Sequence, residues 1–329
     1  MLLSILKTTP IRPCCKIFYF YDLFKILQMK EVELDNGLLK VKILNYGAIL
    51  HSLQLTKPDG SIQELIKGCP TTEDYLTDSA YRGACIGRVA GRISNNGFSL
   101  NGTHYPLHTE NGIHLHGGAN GFSKKTWQIE SVEEGNNPSV TLFRESAHGE
   151  EGYPGNLKVW VSYTLVDQQL VITHKATTDA PTLVNLTNHA YFQLDDSPQI
   201  DHYELILNAT QQVALGEDLL PNGQLLAVGE LDNDFTTPRP IKTKRFDSIF
   251  ALDEGNIAGS AFSPKSGIRM ELSTDQKALV IYTKPGDGSI CFEAQGFPNA
   301  VHNPHFPQWT IQPGDTYHHQ MTFRFDCLS

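Results

Sequence analysis

Motifs that would point to several common enzyme classes are missing from this 329-residue sequence. It contains no GxxxxGK(S/T), GxSxG or HExxH motif, so a P-loop nucleotide site, an esterase-type serine nucleophile and a zinc-protease helix all lose support. Basic residues are also scarce, with 26 Lys and Arg against 36 Asp and Glu and a formal net charge of −10. That balance argues against nucleic-acid binding, which depends on neutralising phosphates with Lys and Arg.

The cysteines form no recognisable framework. The six positions are Cys14, Cys15, Cys69, Cys85, Cys291 and Cys327. No CxxC pair occurs among them, so the spacing indicates neither a disulfide scaffold nor a zinc site. A reducing compartment fits this pattern best, and we expect the protein to be cytoplasmic.

Residues 1–28 differ in character from the rest of the chain. The apolar stretch 17–27 is interrupted by charged residues and is shorter than the roughly 20 residues of a membrane span. No small-residue cleavage site follows it, as a signal peptide requires. We favour a mis-assigned start codon, because Met29 opens a clean strand pattern; an extra helix or a disordered leader are the alternatives. We therefore expect a non-domain leader over 1–28, a single catalytic domain over 29–329, and no membrane association.

Short alternating strands separated by turns dominate the sequence after Met29. Residues 71–76 predict one or two helical turns, and no long amphipathic helix is apparent. Residues 270–272 and 278–282 alternate on either side of 273–277, which predicts a hairpin. The other clear alternating segments are 38–44, 139–143, 158–163 and 169–173. This pattern predicts an all-β fold, a single antiparallel sandwich or barrel-like domain.

Two distant stretches each carry a proton-transfer group on a polar face. If residues 185–192 form a strand, His189 shares one side with Asn185, Thr187 and Tyr191, because side chains alternate between faces. In residues 291–295, Glu293 and Gln295 share the side opposite Phe292 and Ala294. A His and a Glu presented in this way are a candidate acid/base pair.

Two further pairs of polar residues are candidates for ligand contact. His114 and His116 would lie on one strand face, either as part of a metal site, for which no third ligand stands at a diagnostic spacing, or as a structural and a cleft histidine. Gly117 and Gly118 would let the backbone approach a ligand beside His116. Arg88 and Arg92 would point the same way if their segment is extended, and could bind ring and hydroxyl oxygens of a ligand or lie at the surface or between strands.

Five segments resemble, in order, those of one known family. They are GRVAGRI at 87–93, LHGG at 115–118, GEEGYPG at 149–155, TNHAYF at 187–192 and FEAQ at 292–295. Each is weak alone, but together they are specific and extend from about Met29 almost to the C-terminus. On these residues the chain resembles the aldose 1-epimerases, the mutarotase family.

The resemblance implies a large antiparallel β-sandwich of the mutarotase type, with few short helices and an open cleft. It implies interconversion of the α- and β-anomers of free aldohexoses such as galactose and glucose, without a metal or other cofactor. Glu293 matches the family's general base and His189 its general acid, while Arg92, His116 and Asp247 match substrate-binding positions. The expected partner is a small-molecule sugar, and the expected state is a monomer or homodimer.

Two departures from the family pattern bear on the sugar rather than on the chemistry. Gly91 stands where many relatives have Asn, and residues 282–289 run almost directly into the strand of Glu293, where relatives carry a longer segment. One wall of the cleft is therefore expected to be shorter.

Other functions remain open on the sequence. The nearest alternative is a hexose-6-phosphate 1-epimerase, which needs Arg and Lys side chains that converge on a phosphate. A non-catalytic carbohydrate-binding protein of the same fold is another, and a metal-dependent β-barrel enzyme is a more distant one.

Overall fold

Alternating burial assembles the chain into antiparallel sheets. The computed structural model describes residues 28–216 and 218–328. In Leu157–Val166 every second residue is buried, so one face of the strand packs on the core and the other faces outward. In Ala278–Tyr282 and Cys291–Gln295 nearly every residue is buried, because these strands are covered on both faces.

The strands are numbered in chain order. The first thirteen are β1 (Glu31–Asp35), β2 (Leu39–Leu44), β3 (Ile49–Thr56), β4 (Ile62–Glu64), β5 (Cys85–Ile86), β6 (Arg92–Ile93), β7 (Gly97–Leu100), β8 (Thr103–Pro106), β9 (His114–Leu115), β10 (Gln128–Glu133), β11 (Ser139–Ser146), β12 (Leu157–Val166) and β13 (Gln169–Thr178). The others are β14 (Thr182–Leu183), β15 (Thr187–Asn188), β16 (Glu204–Leu207), β17 (Gln211–Leu215), β18 (Pro221–Ala227), β19 (Arg239–Pro240), β20 (Asp247–Ala251), β21 (Gly259–Ser263), β22 (Ile268–Thr274), β23 (Ala278–Tyr282), β24 (Cys291–Gln295), β25 (Thr310–Ile311) and β26 (Tyr317–Cys327).

Three sheets dominate the architecture. Nine strands form the largest, in the order β10-β11-β12-β13-β26-β22-β21-β16-β19. A five-stranded sheet has the order β18-β17-β20-β23-β24, and a four-stranded sheet the order β1-β2-β3-β4. Two-stranded pairs join β14 to β25, β15 to β5, β6 to β9 and β7 to β8. The pairings in these sheets are antiparallel, which confirms the predicted antiparallel β-sandwich.

The main core lies between the nine-stranded sheet and the strands opposite it. Buried side chains of β12, β22 and β26 belong to the same apolar cluster as those of β2, β3, β23 and β24. Phe192, from the segment after β15, packs against Phe323 of β26 with ring centroids 4.7 Å apart. This contact ties the segment that carries His189 to the centre of the sandwich.

The predicted hairpin of residues 270–282 is wrong. Strand β22 pairs with β21 and β26 in the nine-stranded sheet, whereas β23 pairs with β20 and β24 in the five-stranded sheet. Residues 275–277 therefore carry the chain from one sheet to another. The reason is the composition of β23, because Leu279 and Ile281 on one face and Ala278 and Val280 on the other all need cover.

Helical structure is sparse. Five short 3-10 helices lie between the strands, at Glu73–Leu76, Phe122–Lys124, Glu150–Gly152, Val228–Leu231 and Ala300–His302. The first confirms the helical turn predicted for residues 71–76. No helix in 28–216 or 218–328 is long and apolar enough to cross a membrane. The predicted leader lies almost wholly outside the described residues.

Candidate active site

The five-stranded sheet forms the floor of a cleft of about 240 Å³. In its register Val280 of β23 lies opposite Ile249 of β20 on one side and opposite Glu293 of β24 on the other. Two residues further along the strands, Tyr282 of β23 lies opposite Asp247 of β20. These side chains all line the cleft, so strand alternation alone selects which residues of the sheet face it.

The structure brings the five predicted site residues together. The side chains that line this one cleft include His189, Glu293, Arg92, His116 and Asp247. They come from five separate segments of the chain. Gln295, which the alternation placed on the same face as Glu293, also lines the cleft.

His189 lies in an extended segment rather than in the strand that was expected. Strand β15 ends at Asn188, and the residues after it form only isolated bridges. The His189 amide donates to the carbonyl of Ala84, and the Gly83 amide donates to the carbonyl of His189. The backbone is thus fixed on both sides of the imidazole, whose Nε2 lies 3.5 Å from Oε1 of Glu293. On the other side of the ring, Nδ1 lies 3.7 Å from Sγ of Cys291.

A backbone bridge connects the two segments that carry this pair. Phe192 and Ile290 exchange two hydrogen bonds, N to O at 2.8 and 3.0 Å. Each residue of the bridge stands three positions from one member of the pair, His189 or Glu293. The separation of imidazole and carboxyl is therefore set by main-chain bonding close to both.

Burial shifts both members of the pair toward their neutral forms. Glu293 is 2% exposed, and its Oε2 has no hydrogen-bond partner. Burial, reinforced by the Asp247 carboxylate, raises the pKa of Glu293 to about 8, although Arg92 lowers it. Burial lowers the pKa of His189 to about 4. Between these values the pair carries one proton, so it can both donate and accept.

Aromatic rings enclose the imidazole of His189. Tyr191 stacks on it at 5.2 Å and 18° between planes, and Tyr81 lies roughly parallel at 6.0 Å. Tyr282 and His116 approach it edge-on at 6.0 and 5.5 Å. Sequence alternation grouped Tyr191 with His189 but gave no indication of Tyr81 or Tyr282, which arrive from other parts of the chain.

His116 presents a proton donor to the cleft. It follows β9 with a left-handed backbone, φ 51°, and its Nδ1 accepts a hydrogen bond from the Gly91 amide at 3.3 Å. Burial lowers the pKa of His116 well below its ordinary value, and His189 and Arg92 add to the effect. The ring is therefore neutral near pH 7 with its proton on Nε2, which can donate to a ligand oxygen.

Arg92 and Asp247 form an ion pair at the cleft wall. Nη2 of Arg92 donates to Oδ2 of Asp247 at 3.1 Å, and both side chains are partly exposed. Such a pair offers several donors beside an acceptor, which suits vicinal hydroxyl groups.

Two sequence interpretations need correction. His114 does not share a face with His116: its ring bonds the hydroxyl of Tyr153 and the carbonyl of His108. Arg88 and Arg92 do not point in the same direction. Arg88 is 2% exposed and donates to backbone carbonyls of the 146–155 region. No group of three or more His, Cys, Asp or Glu in the described part of the chain is arranged to hold a metal ion.

The glycines after His116 serve internal packing rather than ligand approach. At Gly117, φ is 82° and an added Cβ would lie 1.8 Å from the carbonyl oxygen of Gly87. A Cβ at Gly118 would collide with the carboxylate of Glu151. The close approach that these glycines permit is therefore to the protein's own backbone and side chains, and it fixes the turn from which His116 enters the cleft.

An antiparallel sandwich with a cleft that places a buried His–Glu pair beside polar side chains is an arrangement suited to acid/base chemistry on a small polar molecule. The aldose 1-epimerase family model matches residues 30–324. The chain is 34% identical to galactose mutarotase of Bos taurus over 90% of its length and 94% of the relative. It is 30% identical to aldose 1-epimerase of Escherichia coli K12, covering 88% and 93% of the two chains. This chain belongs to the aldose 1-epimerase family.

Solved structures agree with that assignment. An aldose epimerase homologue from C. elegans matches with a TM-score of 0.85 and 28% identity, over 92% of this chain and 100% of the other. Galactose 1-epimerase from Lactobacillus acidophilus matches with a TM-score of 0.82 and 25% identity, over 92% and 95%. The mutarotase-type fold expected from the sequence is confirmed.

Proposed function

We propose that this protein is a mutarotase that interconverts the α- and β-anomers of free aldohexoses such as galactose and glucose, with Glu293 as general base and His189 as general acid. The observation that carries the proposal is the 3.5 Å separation of His189 Nε2 and Glu293 Oε1 in the cleft. Ring opening needs a proton removed from O1 and a proton delivered to O5. Because both oxygens are bonded to C1, the two groups that serve them must lie close together.

The reaction follows from one shared proton. Glu293, as carboxylate, takes the proton from O1 while the His189 imidazolium gives its proton to O5, so that the C1–O5 bond breaks and an aldehyde forms at C1. Rotation about C1–C2 then presents the other face of the carbonyl. His189 recovers the proton as O5 attacks C1, and Glu293 returns the other proton to O1. Each such positioned transfer contributes roughly 10²–10⁴-fold.

The pair starts this cycle with its proton on Glu293, and transfer of that proton to His189 produces the carboxylate and imidazolium. A bound sugar favours the transfer, because O1–H donates to the carboxylate and O5 accepts from the imidazolium. The buried Oε2 of Glu293 has no hydrogen-bond partner within the protein and is free to accept from a sugar hydroxyl. Stacked Tyr191 and Tyr81 keep the imidazole plane fixed through the proton transfers.

Arg92, Asp247 and His116 bind the sugar hydroxyls in this proposal. Arg92 and His116 donate, and Asp247 accepts. Gln295 extends the same wall, and its Oε1 is buried without a hydrogen-bond partner. Many family members carry Asn at position 91, where this chain has Gly91. The Gln295 carboxamide lies beside Gly91, and its Oε1 is 3.6 Å from the position that a Cβ on residue 91 would occupy.

A neutral sugar suits the cleft better than a sugar phosphate. Among the described residues that line it, Arg92 is the one Lys or Arg side chain, and Asp247 neutralises it. A hexose-6-phosphate 1-epimerase would need unpaired cations there. Polarimetry of the fresh anomers of glucose, galactose and glucose 6-phosphate distinguishes the two: we expect faster mutarotation of the free sugars, and a marked preference for the phosphate would favour the alternative.

The roles of the pair are tested by Glu293→Gln and His189→Asn. We expect each to reduce kcat by at least about 100-fold with the fold intact, because one proton transfer is lost. Matched controls are the exposed Glu133→Gln and His104→Asn, which should keep wild-type rates. Wild-type polarimetric rates in either cleft variant would refute the assignment, and sugar binding without any acceleration in the wild type would indicate a carbohydrate-binding protein.

We also propose that the protein works in the cytoplasm on this small-molecule substrate, as a monomer or homodimer. Cys69, Cys85, Cys291 and Cys327 are free thiols, which supports a reducing compartment. Cell fractionation and light scattering test these two points.

A further inference from the structure

The short connection between β23 and β24 is anchored by a nearly buried ion pair. Asp287 of this loop accepts two hydrogen bonds from Arg82, Nη2 to Oδ1 at 2.5 Å and Nη1 to Oδ2 at 3.2 Å. The two side chains are 12% and 9% exposed. Ser289 donates to the same carboxylate, and Lys67 donates to the Asp287 carbonyl. The loop that is short relative to the family pattern is thus fixed to the segment before β5.

The Arg82 guanidinium also lies against the aromatic stack of the cleft. Its central carbon is 4.7 Å from the centroid of the Tyr191 ring, a cation–π distance. Tyr191 in turn stacks on His189. Arg82 Nη1 further donates to the carbonyl of Lys67, whose amide donates to the carbonyl of Tyr191. A continuous set of contacts therefore leads from the loop carboxylate of Asp287 to the imidazole.

Resting on the function proposed above, we propose that Arg82 and Asp287 are positioning residues: together they hold Tyr191 against His189 and balance the charge behind it. Neither residue lines the cleft. Their effect is exerted through Tyr191 and through the electrostatic field at the imidazole. The bidentate geometry suits this role, because an Arg–carboxylate fork fixes orientation as well as distance.

Charge balance matters because His189 is buried among few other charges. The titratable groups that contact the imidazole are Glu293 and Cys291 of β24, Tyr282 of β23, Tyr191 of its own segment, Tyr81, and His116 after β9. Three charged groups act on it from a greater distance, namely Asp78, Asp247 and Arg82. Burial is the main reason for the low pKa of His189; Asp78 and Asp247 oppose it, and Arg82 lowers the pKa further. Asp287 offsets part of the Arg82 charge.

Two single substitutions should therefore shift the acidic limb of kcat/KM in opposite directions. Arg82→Met removes the cation and leaves the carboxylate, so the limb should move to higher pH. Asp287→Asn leaves the cation without its counter-ion, so the limb should move to lower pH. Each shift should be on the order of half a pH unit. The measurement is polarimetry of galactose from pH 3.5 to 7, corrected for the uncatalysed rate, with circular dichroism at each pH.

Further variants separate charge from geometry. The double variant Arg82→Met/Asp287→Asn restores neutrality, so its limb should return to the wild-type pH while kcat stays reduced, because the Tyr191 contact is lost. Arg82→Lys keeps the charge without the fork and should also keep the wild-type limb with reduced kcat. Arg269→Met is the matched control: Arg269 pairs with Asp326 between β22 and β26, and its removal should leave the limb unchanged.

Shifts in the same direction, or no shift in Asp287→Asn, would overturn the proposal. If Arg82→Met does not fold, the acidic limbs of Asp287→Asn and Arg82→Lys still test the proposal. Failure of the proposed function has a different outcome, namely full activity in Glu293→Gln and His189→Asn. The two proposals can therefore fail separately.

Discussion

His189 and Glu293 have pKa values displaced in opposite directions by the same cause, burial in the cleft. A carboxyl with a pKa near 8 beside an imidazole with a pKa near 4 carries one proton between about pH 4 and pH 8. In the proposed mechanism the active form of the site is this singly protonated pair, whichever of the two groups holds the proton at a given moment.

The pH dependence of activity follows from that proton count. We expect kcat/KM to rise as pH increases through about 4, where the pair loses its second proton, and to fall through about 8, where it loses its last. Polarimetric initial rates on galactose between pH 3.5 and 9.5 provide the measurement. A profile that is flat from pH 5 to 9.5 would contradict the singly protonated pair.

The same carboxyl should make the fold less stable at alkaline pH. The pKa of Glu293 is about 8 in the folded chain against 4.5 for an ordinary Glu, so the folded state holds its proton longer than the unfolded state does. The contribution of Glu293 to stability should therefore decline as pH rises from 4.5 to about 8. Glu293→Gln has no ionisable group at this position. The unfolding free energy of the variant minus that of the wild type should therefore increase over that interval and then level off.

Denaturant titrations at pH 5, 7 and 9 test this, with the exposed Glu133→Gln as a control whose difference from wild type should not vary. A constant difference for Glu293→Gln would mean that its carboxyl is not displaced. The comparison uses stability alone and does not depend on catalysis.

At the residue scale, the sequence predicts the pair better than its surroundings. His189, Glu293, Arg92, His116 and Asp247 follow from short motifs, and all line one cleft. Tyr81 and Tyr282 were not predicted, because ring packing depends on how distant segments meet. Arg88 was misjudged for a related reason: its motif repeats the Gly-Arg pattern of Arg92, yet only the tertiary structure decides that it bonds the 146–155 backbone.

At the scale of elements, strands were predicted more reliably than their partners. Periodicity located β2, β11, β12, β13, β22 and β23, although the observed strands are mostly longer than the predicted segments. It joined β22 to β23 as a hairpin because only five residues separate the predicted segments. Two consecutive strands can join different sheets when each has apolar side chains that the other strand cannot bury. The local sequence does not show which distant strands will bury them.

The turn after β9 offers a test of local backbone constraint. Gly117→Ala should destabilise the fold by more than about 2 kcal/mol, since the new Cβ would overlap the Gly87 carbonyl oxygen and the backbone there is left-handed. Gly102→Ala is a matched control at a similar φ, 78°, with no atom within 4 Å of the new Cβ, and should cost only about 1 kcal/mol. Urea denaturation of both variants measures the difference.

Equal losses in the two variants would show that the left-handed backbone, not the clash, is what matters. A further outcome concerns the cleft: because Gly117 sets the turn that presents His116, surviving Gly117→Ala protein should also show a raised KM.

At the scale of the whole molecule, the described residues 28–216 and 218–328 contain the cleft, its supporting sheets and their cores. Asn45 bonds the carbonyl of Gln28 and the amide of Lys30, which fixes the chain where β1 begins. Met29 packs against the apolar cluster around Tyr75. A chain that starts at Met29 keeps the Lys30 and Met29 contacts and loses only the bond to the Gln28 carbonyl.

Deletion of residues 1–28 should therefore leave mutarotation and melting temperature unchanged. Polarimetry and thermal denaturation of the shortened and full-length proteins measure both. Deletion of residues 1–35, which also removes β1, is the control and should be destabilising, since β2 loses one of its two partner strands and keeps only β3. An inactive or insoluble product of the shorter deletion would show that residues 1–28 belong to the catalytic domain.

The two hydrogen bonds between Phe192 and Ile290 determine on which timescale the distance between His189 and Glu293 can change. Their amides lie in the interior, next to Phe323 and the main core, so we expect them to exchange with solvent only when the whole sandwich opens. Loops around the cleft can then fluctuate over nanoseconds to microseconds without altering the distance between acid and base. On heating, the enzyme should keep its geometry up to the melting transition and lose activity and fold in a single event.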